Sequence, residues 1–514
     1  MSATRLPALL YDMKEERNLF LDPLCRPEDL GAPIPDLPHA VSMCLPTWAD
    51  VVGYEERDER VISKLACGYP RFVLHPEVRE LCAAAAEEFA RKGEQALVFP
   101  SMGAAWRAAD FVKLRSGASC RLESYGWGGL TVLLVDPAGY ESAWKARQHG
   151  GEIVSSRNAE AALTDEALPD DLIESGDWAR EKVRTRLGLL TGESPVDIFL
   201  FSSGMAAIAA IHRAAMKRRP GLPTVQVEFP YVDALKIQQH FGQGGVIDLS
   251  VAQEGGASEV SELIAKGQSI AAVFSEAPSN PLLRTADLAG LQAVLQPHGA
   301  PLIIDDTIAT PANVDALRYA DATTSSLTKL FSGAGDVMAG SVTLRGDSPF
   351  HDEFRDTLVA AEAESPLFAL DAIMLELNSR DFLERYPVIN DNGEAVFDFL
   401  SDHPKVERLW YPKRETPENY EAILKPGGGY GGLISILLKD ATHASPRFYD
   451  ALEISKGPSL GTNFSLICPY TLLAHYGELA WAAQCGVDSN LIRLWVGLEP
   501  VDELIARLDK ALNA

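Results

Sequence analysis

The sequence lacks the apolar segments that would anchor it in a membrane or direct it for secretion. None of its runs approaches the roughly 20 consecutive apolar residues that a membrane-spanning helix needs. The N-terminal stretch MSATRLPALLYDMKEERN becomes charged before a signal-peptide core of about 7 apolar residues can form. We therefore expect a cytoplasmic protein that has no membrane partner.

Cysteine is also scarce, and its distribution argues against two kinds of site. The seven cysteines are odd in number, are scattered along the chain and form no CxxC pair. This pattern argues against a disulfide framework and against a zinc site, so we expect reduced thiols and no metal.

Basic residues are outnumbered, with 46 Lys and Arg against 72 Asp and Glu, which gives a net charge of −26. Such a surface repels phosphate backbones and anionic lipids, so nucleic acid is a poor partner and solubility explains the acidity. The 514 residues suit two or three domains, and the hydrophobic share of 46% is typical of a globular protein.

We predict that residues 1–150 form an N-terminal extension. Residues 1–45 are rich in proline, leucine and charge, and they predict an irregular arm. The segment 76–113 has the composition and charge spacing of helix, and LTVLLVD (130–136) predicts a buried strand.

After Val196 short apolar strands alternate with helical stretches, which predicts an α/β domain over residues 151–392 with a mostly parallel sheet covered on both faces. The predicted strands are DIFLFSSG (197–204), PTVQVEF (223–229), SIAAVFSE (269–276), PLIIDDT (301–307) and ADATTSSLTK (320–329). In such sheets ligands bind at the carboxyl ends of the strands. Two later strands, GGLISILLKD (431–440) and LIRLWVGLE (491–499), predict a smaller α+β domain over residues 393–514.

The segment SLTKLFSGAGDVMAGS (326–341) follows one of these strands and carries Ser326, Thr328 and Lys329. The two hydroxyls can bind a phosphate while the amine attacks an aldehyde carbon. Taken alone, a lysine in such a loop is usually a solvated charge.

Two acids, Asp305 and Asp306, end the strand PLII, where buried carboxylates need a partner. A pyridoxal ring supplies one, because a carboxylate beside its nitrogen keeps that nitrogen protonated and lets the ring accept the electrons of a carbanion. The alternative is that Asp305 caps a helix.

Other strands carry polar side chains that suit a bound ligand. SSGMAA (202–207) places free backbone N–H groups at the start of a helix, which makes an anion site. Tyr231 offers a ring to stack on a cofactor, and Asn280 offers an amide to a cofactor oxygen or a substrate carboxylate. Arg493 lies among apolar neighbours, where a buried arginine needs an anionic partner.

Read in order, these segments resemble the γ-subfamily of pyridoxal-phosphate (PLP) enzymes, the Cys/Met-metabolism family. The family patterns are close to SSGMAAI, E-S-P-x-N-P-L, V-D-N-T, S-x-T-K-x-x-x-G-H-S-D-V-M-G-G and L-I-R-x-S-V-G. Here they stand as SSGMAAI, SEAPSNPL, IDDTIATP, SLTKLFSGAGDVMAGS and LIRLWVG. The resemblance covers about residues 150–514, and the N-terminal segments LPHAVSMCLPTWADVVGYEE and GYPRF look most like the fungal cystathionine γ-synthases of this family.

The resemblance implies PLP as cofactor, the type I aminotransferase fold, and a homotetramer built from dimers in which a neighbouring subunit completes each site. It assigns the Schiff base to Lys329, the pyridinium partner to Asp305, and stacking with proton exchange to Tyr231. The remaining roles are phosphate binding for Gly204, Met205, Ser326 and Thr328, and binding of the substrate carboxylate for Asn280, Ser459 and Arg493.

The family also binds the phosphate with a Tyr-Ser-Arg segment of the neighbouring subunit, and two segments here compete for that role. SSR (155–157) offers Arg157 but begins with Ser, whereas GYPRF (68–72) offers Tyr69 and Arg71. We favour Arg157. The competition reflects an internal echo, in which GYPRF…LVFPSMGAAW loosely parallels SSR…FLFSSGMAAI, either by coincidence or as a decayed repeat.

The activity that the resemblance implies is γ-replacement on an O-acyl or O-phospho homoserine, with cysteine as nucleophile and cystathionine as product. Cleavage of cystathionine, use of sulfide, and a carbon or amine nucleophile in a specialised biosynthesis remain open. Two departures keep the last option open, since GAGDVMAG replaces the family's GHSDVMGG and Asp306 replaces an Asn. A silent scaffold is disfavoured because Lys329 and Asp305 are both present.

Overall fold

Residues 17–126, 128–164, 166–251 and 255–514 are described by the structure, a computed structural model. The strands of this part form four sheets. In chain order they are β1 Pro33–Ile34, β2 Ser42–Met43, β3 Gln95–Phe99, β4 Cys120–Tyr125, β5 Leu130–Val135, β6 Ile198–Phe201, β7 Thr224–Val227, β8 Val246–Leu249, β9 Val273–Glu276, β10 Leu302–Asp305, β11 Ala322–Ser325, β12 Gly340–Leu344, β13 Val406–Trp410, β14 Leu433–Leu438, β15 Ser455–Lys456, β16 Leu466–Pro469 and β17 Ile492–Trp495.

The α-helices lie between and around these strands. They span Trp48–Glu55, Glu59–Ile62, Pro76–Phe89, Met102–Ser116, Pro137–Gly150, Ser156–Leu163, Asp170–Thr191, Gly204–Arg218, Val232–His240, Ala257–Ala265, Leu288–Leu295, Thr310–Asn313, His351–Glu364, Ala369–Asn378, Phe382–Ser401, Pro417–Glu421, Ala441–Ala451, Tyr470–His475, Leu479–Gln484 and Val501–Leu512. Within the described ranges, no helix has both the length and the apolar character that crossing a membrane requires.

The central sheet has the strand order β6-β12-β11-β10-β9-β7-β8. β10 runs parallel to β9 and β11, and β7 runs parallel to β8 and β9, whereas β12 is antiparallel to β6 and β11. The sheet is therefore mixed but mostly parallel, which confirms the predicted α/β class. The sequence does not predict β8 or β12, because β8 is a half-exposed edge strand and β12 contains Gly, Ser and Thr.

Both faces of the central sheet are covered, as predicted. Phe199 of β6 packs in one core with the helices Gly204–Arg218 and His351–Glu364, while Ile198 and Leu200 pack in another. Successive side chains of a strand point to opposite faces, so burial on both faces makes the strands continuous apolar runs.

A folded unit, residues 76–164, which we call the N-terminal unit, begins in the N-terminal extension and ends just beyond it. Strands β3, β5 and β4 form an antiparallel sheet that packs against the helices Pro76–Phe89 and Met102–Ser116. The predicted strand at 130–136 corresponds to β5, but β3 interrupts the predicted helical segment 76–113. Pairing with β5 buries Leu97 and Phe99, and this tertiary contact overrides the helical composition around them.

The C-terminal region carries the sheet β13-β14-β17-β16-β15, in which β14 and β17 are the two predicted strands. The predicted boundary between residues 392 and 393 falls inside the helix Phe382–Ser401. The limits 1–150, 151–392 and 393–514 therefore stay predictions about domain organisation.

The two segments of the internal echo adopt the same local geometry. In each, a strand (β3 or β6) leads to a serine that caps a helix of 15 residues. Ser101 has φ −157° and ψ 162°, and Ser203 has φ −163° and ψ 163°. Each hydroxyl accepts a hydrogen bond from the N–H three residues later. The echo is therefore a structural repeat.

Candidate active site

The carboxyl ends of five central strands, β6, β7, β9, β10 and β11, open into one cavity of about 1410 Å³. This is the position that the topology of an open α/β sheet predicts for a ligand. The residues that line this cavity include Tyr69, Arg71, Gly204, Met205, Tyr231, Glu276, Asn280, Asp305, Ser326, Lys329 and Arg493.

Lys329 follows β11 and lines this cavity. Its Nζ donates a hydrogen bond to Ser459 Oγ at 3.1 Å and lies 4.6 Å from the centroid of the Tyr69 ring. Burial lowers the pKa of Lys329, an effect that Tyr69 opposes and Arg493 reinforces. A lowered pKa leaves more of the amine in the neutral form that attacks a carbonyl carbon.

An anion-binding corner forms where the helix Gly204–Arg218 begins. Backbone N–H groups in the first turn of a helix have no intrahelical acceptor, and they lie at the positive end of its dipole. A Cβ on Gly204 would lie 2.8 Å from the Cβ of Ser326, so only glycine lets the two segments approach this closely. Gly204, Met205 and Ser326 come together here as predicted, and their contact with a phosphate stays a prediction.

Thr328 does not belong to this corner. Its hydroxyl accepts a hydrogen bond from the N–H of Ala339 at 3.0 Å and lies 3.3 Å from the carbonyl oxygen of the same residue. The side chain is buried and is not among the residues that line the cavity. The geometry does not support the predicted phosphate contact, because Thr328 instead ties the lysine loop to the backbone before β12.

Of the two acids at the end of β10, Asp305 lines the cavity and Asp306 does not. Asp306 accepts a hydrogen bond from the Ser325 hydroxyl, and burial raises the pKa of Asp306 to about 7. Asp305 Oδ1 accepts a hydrogen bond from the Thr307 N–H at 2.9 Å. Burial also raises the pKa of Asp305, although its hydrogen bonds from Thr307 oppose the shift. This orientation agrees with the choice of Asp305 as the partner of a ring nitrogen.

A third acid, Glu276, lies beside Asp305 and is not predicted from the sequence. It ends β9 at the position paired with Asp305, and its carboxyl accepts hydrogen bonds from the N–H groups of Tyr231 and Asn280. Burial and the negative charge of Asp305 raise the pKa of Glu276 well above its usual range. The available signal was the acid that ends SIAAVFSE, just as Asp305 ends its own strand.

Tyr231 immediately precedes the helix Val232–His240. It lines the cavity, as stacking on a cofactor requires. Its hydroxyl accepts a hydrogen bond from Arg71, which also pairs with Asp233. Burial raises the pKa of Tyr231, and the Arg71 guanidinium opposes that shift. The sequence singles out Tyr231 but not Asp233, two positions later in the same segment.

Arg493, Asn280 and Ser459 also come together as predicted. Arg493 donates to Asn280 Oδ1 at 3.4 Å and to the carbonyl oxygens of Pro458 and Ser459 at 2.6 and 3.3 Å. The arginine is 6% exposed, and no carboxylate of the described residues forms an ion pair with it. A buried cation without an acid suits the carboxylate of an incoming amino acid, which is the role predicted for it.

Arg157 lies outside the cavity, contrary to the preference drawn from the sequence. It is 2% exposed, donates to the Asp336 carbonyl oxygen at 2.7 Å, and forms ion pairs with Asp336 and Asp371. Reaching the phosphate of another subunit would break both buried ion pairs. The structure instead brings Tyr69 and Arg71, the competing pair, into the cavity.

The residues present fit PLP. The corner at Gly204 suits its phosphate, Lys329 suits its aldehyde, and the cavity-facing carboxyl of Asp305 suits its ring nitrogen. Among the described residues, no group of three or more His, Cys, Asp or Glu is arranged to hold a metal ion, and the seven cysteines are free.

Comparisons with known proteins agree with this assignment. Residues 175–513 match the sequence model of the family described as Cys/Met metabolism PLP-dependent enzyme. A cystathionine gamma-synthase of Neurospora crassa is 33% identical to this chain over 95% of the chain and 98% of its own length. An alanine racemase of Aspergillus violaceofuscus is 30% identical over 94% of the chain and 96% of its own length.

A solved structure extends the likeness to the fold. The crystal structure of cystathionine gamma synthase from Xanthomonas oryzae pv. oryzae in complex with cystathionine has a TM-score of 0.59 and 26% identity, covering 66% of this chain and 86% of its own. The predicted fold type and cofactor are therefore confirmed, and the chain belongs to the Cys/Met metabolism family of PLP-dependent enzymes.

Proposed function

We propose that this chain catalyses γ-replacement on an O-acyl or O-phospho homoserine, with cysteine as nucleophile and cystathionine as product. The supporting observation is that an acid-free buried arginine, Arg493, lines the same cavity as Lys329 and Asp305. The name of the Neurospora relative points to the same reaction.

The chain's own residues divide the work. Arg493, with Asn280 and Ser459 beside it, binds the carboxylate of the homoserine substrate and orients its Cα–H bond toward Lys329. Lys329, displaced by the substrate amine, removes the Cα proton and then a Cβ proton. PLP, when bound, supplies the electron sink that makes these protons removable.

Tyr69 lies where it can exchange a proton with Lys329. Although burial acts in the opposite direction, the positive charges of Lys329 and Arg71 lower the pKa of Tyr69. The ring lies 4.6 Å from the lysine Nζ. A phenol with a lowered pKa, next to an amine whose pKa is also lowered, is suited to take up and return a proton.

The cavity has room for a second amino acid beside the first. Its volume of about 1410 Å³ exceeds the roughly 300–1,000 Å³ that is usual for a small-molecule pocket. Its lining also includes Arg79, Trp144, Lys236, Tyr476 and Glu478. We place the nucleophile among these residues.

The altered loop GAGDVMAG gives little support for a nucleophile other than cysteine. The Gly335 carbonyl accepts a hydrogen bond from the N–H of Val41 at 2.9 Å, and Met338 packs against Val41. Neither Gly335 nor Met338 lines the cavity, and Asp306 does not either. The departure at Gly335 therefore bears on a contact with the N-terminal arm, and cysteine remains our choice. A dimer of dimers and a cytoplasmic location stay predictions.

A matrix of substrates tests this proposal. Purified enzyme would be offered O-acetyl-, O-succinyl- and O-phosphohomoserine, each with cysteine, sulfide, or a carbon or amine nucleophile, and products identified by mass spectrometry. We expect cystathionine from cysteine and one of the three homoserine esters, and none from Lys329→Ala. Racemisation of alanine without any γ-substituted product would contradict the proposal and favour the activity named for the Aspergillus relative.

A further inference from the structure

The segment GYPRF of one chain reaches the cavity of that same chain. Arg71 is 1% exposed, donates to the Gln148 carbonyl oxygen at 2.8 Å, and binds both Asp233 and the Tyr231 hydroxyl. Tyr69, two residues before it, stands beside Lys329. Both therefore lie at the site without any contribution from a second subunit.

The N-terminal unit holds this segment through a second buried arginine. Arg147, in the helix Pro137–Gly150, donates to the carbonyl oxygens of Pro70 at 2.8 Å and Arg71 at 3.2 Å. Within the described ranges no acid forms an ion pair with Arg147, and burial lowers its pKa to about 10. A buried charge without an acid is costly. Here its hydrogen bonds fix the backbone that presents Tyr69 and Arg71.

Asp233 joins the N-terminal unit to the cavity wall. His149 Nδ1 lies 2.8 Å from one of its carboxylate oxygens, and Gln148 Nε2 donates to the same oxygen at 3.3 Å. Although burial opposes the shift, Arg71 and His149 lower the pKa of Asp233 to about 2, so it stays ionised. One carboxylate thereby links the unit, Arg71 and the helix that begins after Tyr231.

The first copy of the structural repeat, which contains the helix Met102–Ser116, does not form a second cofactor site. Ser101 donates to Glu364 Oε1 at 3.2 Å, and Arg107 pairs with the same carboxylate at 2.6 Å. A Cβ on Gly103 would collide with the Glu364 carboxyl group. A carboxylate of the chain itself therefore fills the helix start that corresponds to the Gly204 corner.

We infer that each chain completes its own cofactor site: Tyr69 and Arg71 act in the chain that carries Lys329, positioned by the N-terminal unit. This reverses the expectation that a neighbouring subunit supplies the Tyr-x-Arg segment. Arg71 lines the same cavity as Gly204 and Met205, where its positive charge favours the anionic cofactor, so its loss weakens PLP binding. The inference rests on the cofactor and is independent of the homoserine substrate proposed above.

Mixed oligomers of two inactive variants test the inference. Lys329→Ala and Arg71→Ala chains with different tags would be co-expressed, and hetero-oligomers isolated by tandem affinity steps. PLP affinity would be measured by absorbance titration and set beside turnover. In Arg71→Ala alone we expect PLP to bind about tenfold to a hundredfold more weakly, the loss of one or two charge-assisted hydrogen bonds.

If the inference is right, every site with Lys329 in the mixed oligomer lacks Arg71, so PLP binding matches Arg71→Ala alone and turnover does not recover. Recovery of tight binding and turnover at one site of each mixed pair would overturn the inference. Arg71→Lys, which keeps the charge opposite Asp233, repeats the test should Arg71→Ala fold poorly.

The control pairs Lys329→Ala with Arg91→Ala, an exposed arginine of the N-terminal unit that does not line the cavity. The Arg91→Ala chain keeps every site residue, so this mixed oligomer must bind PLP tightly at its Lys329 sites. Should the chain prove monomeric by light scattering, tight PLP binding by the monomer meets the expectation directly. Loss of PLP whenever oligomers dissociate into monomers would contradict it.

Discussion

Asp305 and Glu276 occupy paired positions on the adjacent parallel strands β10 and β9, and both line the cavity that contains Lys329. Two neighbouring buried carboxyls do not ionise independently, because the first charge opposes the second. Burial raises the pKa of both carboxyls, but the charge of Asp305 raises that of Glu276 further while hydrogen bonds from Thr307 lower that of Asp305, so Glu276 is the member that favours the protonated form. Asp305 is left as the anion that a protonated pyridine nitrogen requires.

Asp305→Asn is expected to lower turnover about 10²–10³-fold with little change in volume. The amide cannot hold the ring nitrogen protonated, so the carbanion loses its electron sink. PLP should still bind to Lys329, with its absorbance preserved and its affinity reduced. Steady-state turnover and exchange of the Cα proton with deuterium, followed by NMR, should fall together.

Asp306→Asn is the matched control for this change. Asp306 lies outside the cavity and accepts its hydrogen bond from Ser325. We expect near-normal turnover from this variant. If Asp306→Asn lost activity and Asp305→Asn kept it, the two acids would have been assigned the wrong way round.

Much of this site is predictable from the sequence because its residues follow strands. Lys329, Asp305 and Asn280 each lie at or just after the end of a predicted strand, and parallel strands bring their carboxyl ends to one edge of the sheet. Local sequence places Glu276 at the end of a strand but does not reveal its role, which depends on its pairing across to β10. The phosphate contact predicted for Thr328 is unsupported for a related reason. Its hydroxyl accepts a hydrogen bond from the backbone N–H of Ala339, which lies further along the chain.

The sequence alone does not decide between Arg157 and Arg71, because the two arginines lie in corresponding segments of a repeat. What separates them is which acids they meet after folding. Arg157 meets Asp336 and Asp371 away from the cavity, whereas Arg71 meets Asp233 at its wall. Those acids lie 162 or more positions away along the chain, so no local pattern identifies them.

Lys329→Ala should lower turnover by about 10²–10⁴-fold or more while the protein still folds. The variant loses both the covalent anchor of PLP and the base that moves the Cα proton. Its bound cofactor should be removable by gel filtration, unlike that of the wild type. Circular dichroism spectra should coincide, and wild-type turnover by the variant would contradict the assignment of Lys329.

Arg493→Lys should raise KM for the amino-acid substrate about tenfold to a hundredfold while PLP binding stays close to normal. Lysine keeps the positive charge but cannot give the two parallel N–H bonds that hold a carboxylate. The measurement is KM and kcat together with a PLP titration. Weak PLP binding combined with an unchanged KM would place Arg493 at the cofactor instead.

Asp306→Asn should also change how stability depends on pH. Burial raises the folded-state pKa of Asp306 from 3.8 to about 7, so between these values the folded protein binds the proton more tightly than the unfolded chain. The stability that this carboxyl contributes is thus fully present below about pH 4 and is lost as pH rises toward 7, by at most about 1.4 kcal/mol per pH unit. Asparagine cannot titrate, yet its amide oxygen can still accept the Ser325 hydrogen bond.

The variant should therefore gain free energy of unfolding relative to wild type as pH rises from about 6 to about 8. Urea unfolding of both holoenzymes at these two pH values measures the difference, and Asp347→Asn, at an exposed acid, controls for the loss of one surface charge. Parallel pH dependence in wild type and Asp306→Asn would show that Asp306 is ionised throughout this range. In that case Ser325 and the positive charge of Lys425 would stabilise the anion enough to offset its burial.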